Sequence, residues 1–96
     1  MQSNHPSTWT KFPLGRTVAT RGALAELTAE DIRVAFGRHC RGDWGDLDAG
    51  DKRLNDKALT TEDRIVSAYH SATGIKFYII TEWDRSMTTV LLAQEY

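Results

Sequence analysis

The sequence has one cysteine, two prolines and no long hydrophobic run among its 96 residues. Because Cys40 stands alone, the chain cannot form an internal disulfide, which excludes a small secreted domain held together by disulfides. The aliphatic stretches around Ile79–Ile80 and Val90–Ala93 are far shorter than the ~20 residues of a membrane helix. Residues Met1–Pro13 lack the apolar core of a signal peptide. We therefore expect a cytoplasmic protein.

An excess of charge of one sign is missing as well. Twelve basic and thirteen acidic residues leave a net charge of −1, which excludes a protein held on nucleic acid by net charge alone. The distribution is uneven, since residues 1–42 carry six bases and three acids, whereas residues 43–63 carry seven acids and three bases. The acidic segment is a candidate surface for binding a partner. One mode of binding would be to imitate nucleic-acid phosphates in a basic groove of that partner.

Helical patterns occupy the first half of the chain. Thr28 is a suitable N-cap, and Gly42 is placed to end the helix that follows. One face of that helix repeats at helical spacing and consists of Ile32, Ala35, Phe36, His39 and Cys40. Asp48 predicts a second cap for a helix over Ala49–Leu59, with Leu54 and Ala58 facing inward. A short helix is expected at Gly22–Leu27.

The second half alternates with a period of two, which is typical of strands. Arg64–Ser71, Ile75–Trp83 and Met87–Ala93 predict a three-stranded antiparallel meander, and Arg16–Thr20 is a candidate short extra strand. The fold class is therefore α+β, with two or three N-terminal helices packed on one face of a C-terminal sheet. Residues 1–11 are predicted to form a flexible arm and residues 12–96 a single domain. Met87–Ala93 is expected at a sheet edge, where pairing would convert a monomer into a homodimer.

Three stretches together carry a family resemblance. They read FPLGRTVATRGAL from Phe12, RHCRGDWGDLDAGDKRLNDKAL from Arg38 and ITEWDRSMTTVLLAQEY from Ile80. The chain resembles small bacterial proteins described only as plasmid-related or hypothetical, carried on plasmids and integrated mobile elements. The resemblance implies no reaction. It implies the setting of such elements, whose small proteins serve transfer, maintenance or inhibition of host defence, including anti-restriction and anti-CRISPR roles.

Partner-binding candidates fall into two groups. The acidic group is Asp43, Asp46, Asp48 and Asp51, and the aromatic and basic group is Trp44, Trp83, Arg38, Arg41 and Arg85. Trp44 has two interpretations, since it either packs beneath the helices or anchors an interface.

Motifs for metals, cofactors and catalysis are not found in the sequence. The run from Asp46 to Asp51 departs from a calcium loop, because Ala49 precedes Gly50 and Lys57 occupies the twelfth position. No zinc-type spacing of histidine and cysteine occurs, and no glycine-rich phosphate loop is present. His39 is expected to be a hydrogen-bonded, partly buried residue. We therefore predict no catalytic residue, no metal and no cofactor.

The sequence is compatible with three functions. The first is a non-enzymatic protein that modulates a host or element-encoded protein complex by occlusion. The second is nucleic-acid binding through Arg33, Arg38 and Arg41. The third is a small RNase-like hydrolase centred on His70. This function is disfavoured because Glu82 and Arg85 lie at the far end of a strand, ~20 Å or more from His70, which is too far for one proton-transfer site.

Overall fold

The computed structural model describes residues 10–96, which form three α-helices and one four-stranded sheet. In chain order the elements are β1 (Arg16–Ala19), α1 (Arg21–Glu26), α2 (Ala29–Cys40), α3 (Ala49–Thr61), β2 (Ile65–His70), β3 (Lys76–Thr81), β4 (Met87–Leu92) and a final 3-10 turn (Ala93–Glu95). The predicted α+β class is confirmed. Residues 1–9 of the predicted arm lie outside the described part. Lys11 at its end donates its backbone N–H to the Cys40 carbonyl over 2.8 Å.

The sheet is mixed, with strand order β1-β4-β3-β2. The last three strands form the antiparallel meander, and β1 pairs parallel to β4, with Arg16 opposite Met87 and Ala19 opposite Val90. The expectation that Met87–Ala93 is an edge strand was wrong, because β1 covers that side of β4. The homodimer contact expected there is therefore blocked in the folded chain. Within residues 10–96, no helix has the length and apolar character needed to span a bilayer.

Local hydrogen bonds explain where the helices begin. The Thr28 hydroxyl accepts from the Asp31 N–H and the Asp31 carboxylate accepts from the Thr28 N–H, which is a capping box for α2. Asp48 caps α3 by accepting from the Asp51 N–H over 2.8 Å. Gly42 follows α2 with a φ of +84°, a conformation that glycine adopts without strain.

Two clusters of buried side chains join the layers. The helix face of the sheet packs on α1 and α2 through Ala23, Leu27, Ala35, Tyr69, Phe77, Ile79, Val90 and Leu92. A second cluster surrounds the start of β2 and contains Phe12, Trp44, Ala58 and Ile65. Ala58 faces inward as predicted. Leu54 is predicted to face inward, and this prediction is wrong because its side chain is 65% exposed. The α3 side chain that faces β2 is Asn55.

A chain of buried hydroxyl groups passes through His39 between the helices and the sheet. Thr88 donates its hydroxyl proton to the Leu14 carbonyl over 2.7 Å, so Thr81 must donate in turn to Thr88 over 2.7 Å. His39 Nε2–H then donates to Thr81 over 2.8 Å, and Nδ1 accepts from Ser67 over 2.5 Å. Burial lowers the pKa of His39 to about 3, so the imidazole is neutral. His39 is thus hydrogen-bonded as expected, and it is fully buried.

Candidate binding surface

A groove separates α3 from the second face of the sheet, the face opposite α1 and α2. We call it the α3 groove; it has a volume of about 370 Å³. Its apolar lining consists of Leu47, Leu54, Val66, Tyr78 and Tyr96, and its polar lining consists of Asp51, Asn55 and Arg64. Leu54 from α3 and Tyr96 from the C-terminus remain 65% and 60% exposed. Two large apolar side chains are therefore presented to solvent in the same concave site.

Asn55 holds the α3 wall against the sheet. Its Nδ2 donates to the Val66 carbonyl over 2.8 Å, and its Oδ1 accepts from the Val66 N–H over 3.2 Å. The backbone near Gly45 covers the next position of the same strand, because Ala68 donates to Trp44 O and accepts from Asp46 N. The outer edge of β2 is thus occupied, and α3 stands at a set distance from the sheet.

The two tyrosines that line the groove each have a cation beside the ring. The rings of Tyr78 and Tyr96 are 5.2 Å apart between centroids. Lys76 Nζ lies 5.6 Å from the Tyr78 ring centroid, and the Arg64 guanidinium lies 5.9 Å from that of Tyr96. Arg64 also donates to the Tyr96 hydroxyl over 2.7 Å. Each cation is therefore held beside an aromatic ring by a cation–π contact.

Glu95 positions Tyr96. Its carboxylate accepts from the Thr20 hydroxyl over 2.6 Å, from the Leu92 N–H over 2.8 Å and from the Gly22 N–H over 3.3 Å. These hydrogen bonds, above all the one from Thr20, hold the pKa of Glu95 below its usual range. Gly22 is needed for the contact, because a Cβ at that position would lie 2.5 Å from the carboxylate. The C-terminus is thereby tied to the start of α1.

Two of the predicted acidic residues contact basic or histidine side chains. Asp43 accepts two hydrogen bonds from Arg38, at 2.7 and 3.2 Å, and this contact is the main cause of the lowered pKa of Asp43. Asp46 lies 2.7 Å from His70 Nδ1. Asp43 is therefore paired with a cation, and Asp46 is hydrogen-bonded to an imidazole.

The other two acidic residues lie at the start of α3. Asp48 is used as the N-cap, where its side chain accepts from the backbone of Asp51. Asp51 itself lines the α3 groove. Of the four predicted acidic residues, Asp51 is the one that the structure places in the groove.

The predicted aromatic residues have opposite environments. Trp44 is 3% exposed, and its Nε1–H donates to Asp56 over 2.9 Å. It therefore follows the core-packing interpretation and is not accessible to a partner. Trp83 is 62% exposed on the turn between β3 and β4. Its side chain is available at the surface.

Arg85 holds that turn in place. Its guanidinium donates to the carbonyls of Asp63 over 2.6 Å and Ala58 over 2.7 Å, and more weakly to those of Glu82 and Trp83. Ala58 lies near the C-terminus of α3, and its carbonyl also accepts from the Glu62 N–H over 3.1 Å. The cation therefore adds a second donor at the negative end of the helix dipole. The guanidinium is thus committed to backbone carbonyls within the chain.

The basic residues of the nucleic-acid hypothesis do not form one free patch. Arg33 makes two hydrogen bonds to Glu30, at 3.0 and 2.7 Å, and Arg38 is paired with Asp43. Arg41 is exposed beyond the end of α2. Pairing with carboxylates weakens the attraction of Arg33 and Arg38 for phosphate.

His70 lies beside a small cleft of about 130 Å³ under α2, together with Arg38 and Tyr69. Asp46 orients the imidazole, which is the arrangement of a general base. No serine, threonine or cysteine lines the cleft, and the strand register places His70 at the end opposite Thr81 and the turn with Arg85. Residues 10–96 contain no cluster of three or more His, Cys, Asp or Glu side chains arranged for a metal. Among the described residues, the cleft therefore places no hydroxyl of serine or threonine and no thiol beside His70.

Sequence reasoning missed most of the groove. The alternating pattern places Arg64, Val66 and Tyr78 in strands, but nothing local indicates that Leu47, Leu54 and Tyr96 meet them. One signal was present: Tyr78 is an aromatic on the strand face that also carries Lys76, which is unusual for a face turned to solvent.

Comparisons with protein-family models, with curated proteins and with solved structures found no match for this chain. The resemblance to mobile-element proteins therefore stays a prediction from the sequence. The geometry of the site is the basis for inferring function, because a fold class alone does not specify function.

Proposed function

We propose that this chain is a non-enzymatic binding protein that holds a protein partner in the α3 groove and acts by occlusion. The observation that carries the proposal is the exposure of Leu54 and Tyr96, at 65% and 60%, in one concave site. A binding site whose apolar side chains are held in place before the partner arrives loses less entropy on association. Asn55 and Glu95 provide that preorganisation by fixing α3 and the C-terminus.

The setting of the proposal comes from the sequence resemblance. Small proteins of mobile elements act on host complexes, so we propose a host defence complex as the partner, in an anti-restriction or anti-CRISPR role in the cytoplasm. The protein acts as a monomer or a homodimer. Trp83 adds a second exposed aromatic to the surface offered to that partner. The proposal uses Asp51 in place of the whole acidic segment, since Asp43 and Asp46 are paired.

A matched pair of substitutions tests the site. Leu24 on α1 and Leu54 on α3 are both 65% exposed, and Leu24 is not among the residues lining the groove. Partners captured from host lysate by the wild type are quantified by mass spectrometry against Leu54→Glu and Leu24→Glu. We expect Leu54→Glu to lose the partner by about tenfold or more, and Leu24→Glu to retain it.

Urea unfolding of both variants checks that the fold is intact. Equal capture by the wild type and Leu54→Glu, or equal loss in both variants, contradicts the proposal. A gel shift with single-stranded DNA or RNA at low salt, unchanged by Leu54→Glu, would instead support nucleic-acid binding at another surface.

A further inference from the structure

We infer that the α3 groove takes an extended peptide segment of the partner in which a large apolar side chain adjoins one carboxylate, and that Arg64 binds that carboxylate. This inference rests on the proposed function and specifies the chemistry of the partner at the same site. It follows from the hydrogen bonds that Arg64 leaves unused and from the charges of the two groove walls.

Arg64 differs in its contacts from Arg33, Arg38 and Arg85. Arg33 and Arg38 are each paired with a carboxylate, and Arg85 donates to backbone carbonyls. Arg64 donates to the Tyr96 hydroxyl, and within residues 10–96 no carboxylate lies within 4.0 Å of it. A guanidinium carries five N–H donors in a planar fork that matches a carboxylate. The Tyr96 contact orients this fork at the groove and leaves donors for a ligand.

The lining beside Arg64 suits an apolar side chain. Leu54, Val66 and Tyr78 supply its walls. Asn55 does not compete for a polar ligand, because its amide is already paired with the Val66 backbone through both Nδ2 and Oδ1. The groove therefore combines an apolar pocket with one unpaired cation, which is complementary to an apolar residue next to an acid.

The opposite wall sets a limit on the charge of the ligand. Asp51 lines the groove across from the sheet, so a second anion on the ligand would meet a carboxylate. A nucleic acid carries a phosphate at every nucleotide and would place several anions along this site. The faces that bases would stack on are also in use, because Tyr78 and Tyr96 pack against each other and against Lys76 and Arg64. These charges and contacts favour a peptide with one acid.

The test uses two capped tetrapeptides that differ only in one side chain, which ends in a carboxylate in one peptide and in a carboxamide in the other. One contains leucine, phenylalanine, glutamate and leucine, and the other has glutamine in place of glutamate. Titration of the labelled protein is followed by NMR of backbone amides and of the Arg64 side-chain Nε–H. We expect both peptides to shift signals of Leu54, Val66 and Tyr78, and the glutamate peptide to bind about threefold to fivefold more tightly. Its binding should also shift the Arg64 Nε–H signal.

Three variants separate a direct role of Arg64 from an indirect one. Arg64→Gln should abolish the preference for glutamate, whereas Arg53→Gln, a matched change on the exposed side of α3, should keep it. Tyr96→Phe removes the hydroxyl that Arg64 contacts while leaving the guanidinium, so the preference should persist there. Loss of the preference in Arg53→Gln, or its persistence in Arg64→Gln, would overturn the inference.

The remaining outcomes are also decisive. Equal affinity for the two peptides, or no groove shift with either at about 10 mM, overturns the inference. Tighter groove binding by a ten-nucleotide thymidine oligomer than by the glutamate peptide overturns it in favour of nucleic acid. Failure of the proposed function is separate, because it is read from unchanged partner capture by Leu54→Glu. If Leu54→Glu abolishes capture while both peptides bind equally, only the carboxylate inference fails.

Discussion

His39 donates its Nε2–H to the hydroxyl of Thr81 over 2.8 Å in the centre of the domain. Because Thr81 passes its own proton to Thr88, this contact determines which imidazole nitrogen carries hydrogen. A neutral imidazole with a fixed tautomer thus links α2 to β3. The same contact makes the domain sensitive to acid.

Acid is expected to destabilise the fold through protonation of His39 in the unfolded chain. The pKa of His39 is about 3 in the folded chain and about 6.5 in the unfolded chain, so the unfolded state binds more protons between these values. Stability should fall by about 1.4 kcal/mol for each pH unit as the pH drops below 6.5. Urea unfolding between pH 6.5 and 4.5 measures this slope.

His39→Gln should be less stable at neutral pH and show a flatter pH profile in that window. An unchanged slope in His39→Gln would contradict the assignment. Nitrogen-15 NMR provides a second check, since His39 should report the Nε2–H tautomer throughout.

Adjacent threonines offer a matched comparison on β4. Thr88 is fully buried, and its hydroxyl accepts from Thr81 and donates to the Leu14 carbonyl. Thr88→Val leaves these groups unpaired in the core and should cost about 1 to 3 kcal/mol. Thr89 lies on the second face, where its side chain makes no hydrogen bond within residues 10–96. Thr89→Val should therefore change the free energy of unfolding by less than about 0.5 kcal/mol. Equal effects at both positions would contradict the buried series of hydroxyl hydrogen bonds.

Asn55 is expected to protect the edge of β2. Asn55→Leu fills the same space but removes both partners of the Val66 backbone, so it should cost about 2 to 4 kcal/mol. The opened edge should also promote concentration-dependent association, which light scattering detects. Lys57→Leu, an exposed change on the same helix, serves as the control and should leave stability within about 0.5 kcal/mol. Full stability of Asn55→Leu would show that the edge is held by other contacts.

Arg85 is expected to stabilise the fold through the hydrogen bonds that its guanidinium donates. Arg85→Lys keeps the charge at the C-terminus of α3 but cannot reach the carbonyls of Ala58 and Asp63 in the same geometry. It should cost about 1 to 2 kcal/mol in urea unfolding, and Arg85→Ala about 2 to 3 kcal/mol. Arg53→Ala, which changes an exposed arginine, is the control. If Arg85→Lys matched the wild type in stability yet lost partner capture, Arg85 would belong to the interface instead.

Much of the local structure was predictable from the sequence because it depends on near neighbours. Thr28 and Asp48 cap their helices with side chains that reach a backbone N–H three residues on, and the alternation in residues 64–93 indicates three strands. Trp44 and Trp83 look alike in the sequence. Only the packing of the Phe12, Ala58 and Ile65 cluster shows that Trp44 is buried and Trp83 is not.

The sequence by itself determined the α+β class, the helix starts and the hairpin order, since each follows from short-range hydrogen bonding and hydrophobic period. Tertiary structure alone decided that β1 joins β4 in parallel, that Asn55 rather than Leu54 faces the sheet, and that Arg64 and Tyr96 meet at one groove. Tertiary contacts bring together residues up to 75 positions apart in the chain, such as Thr20 and Glu95. No local pattern encodes them, because the free energy of such contacts depends on which faces and edges the folded chain covers.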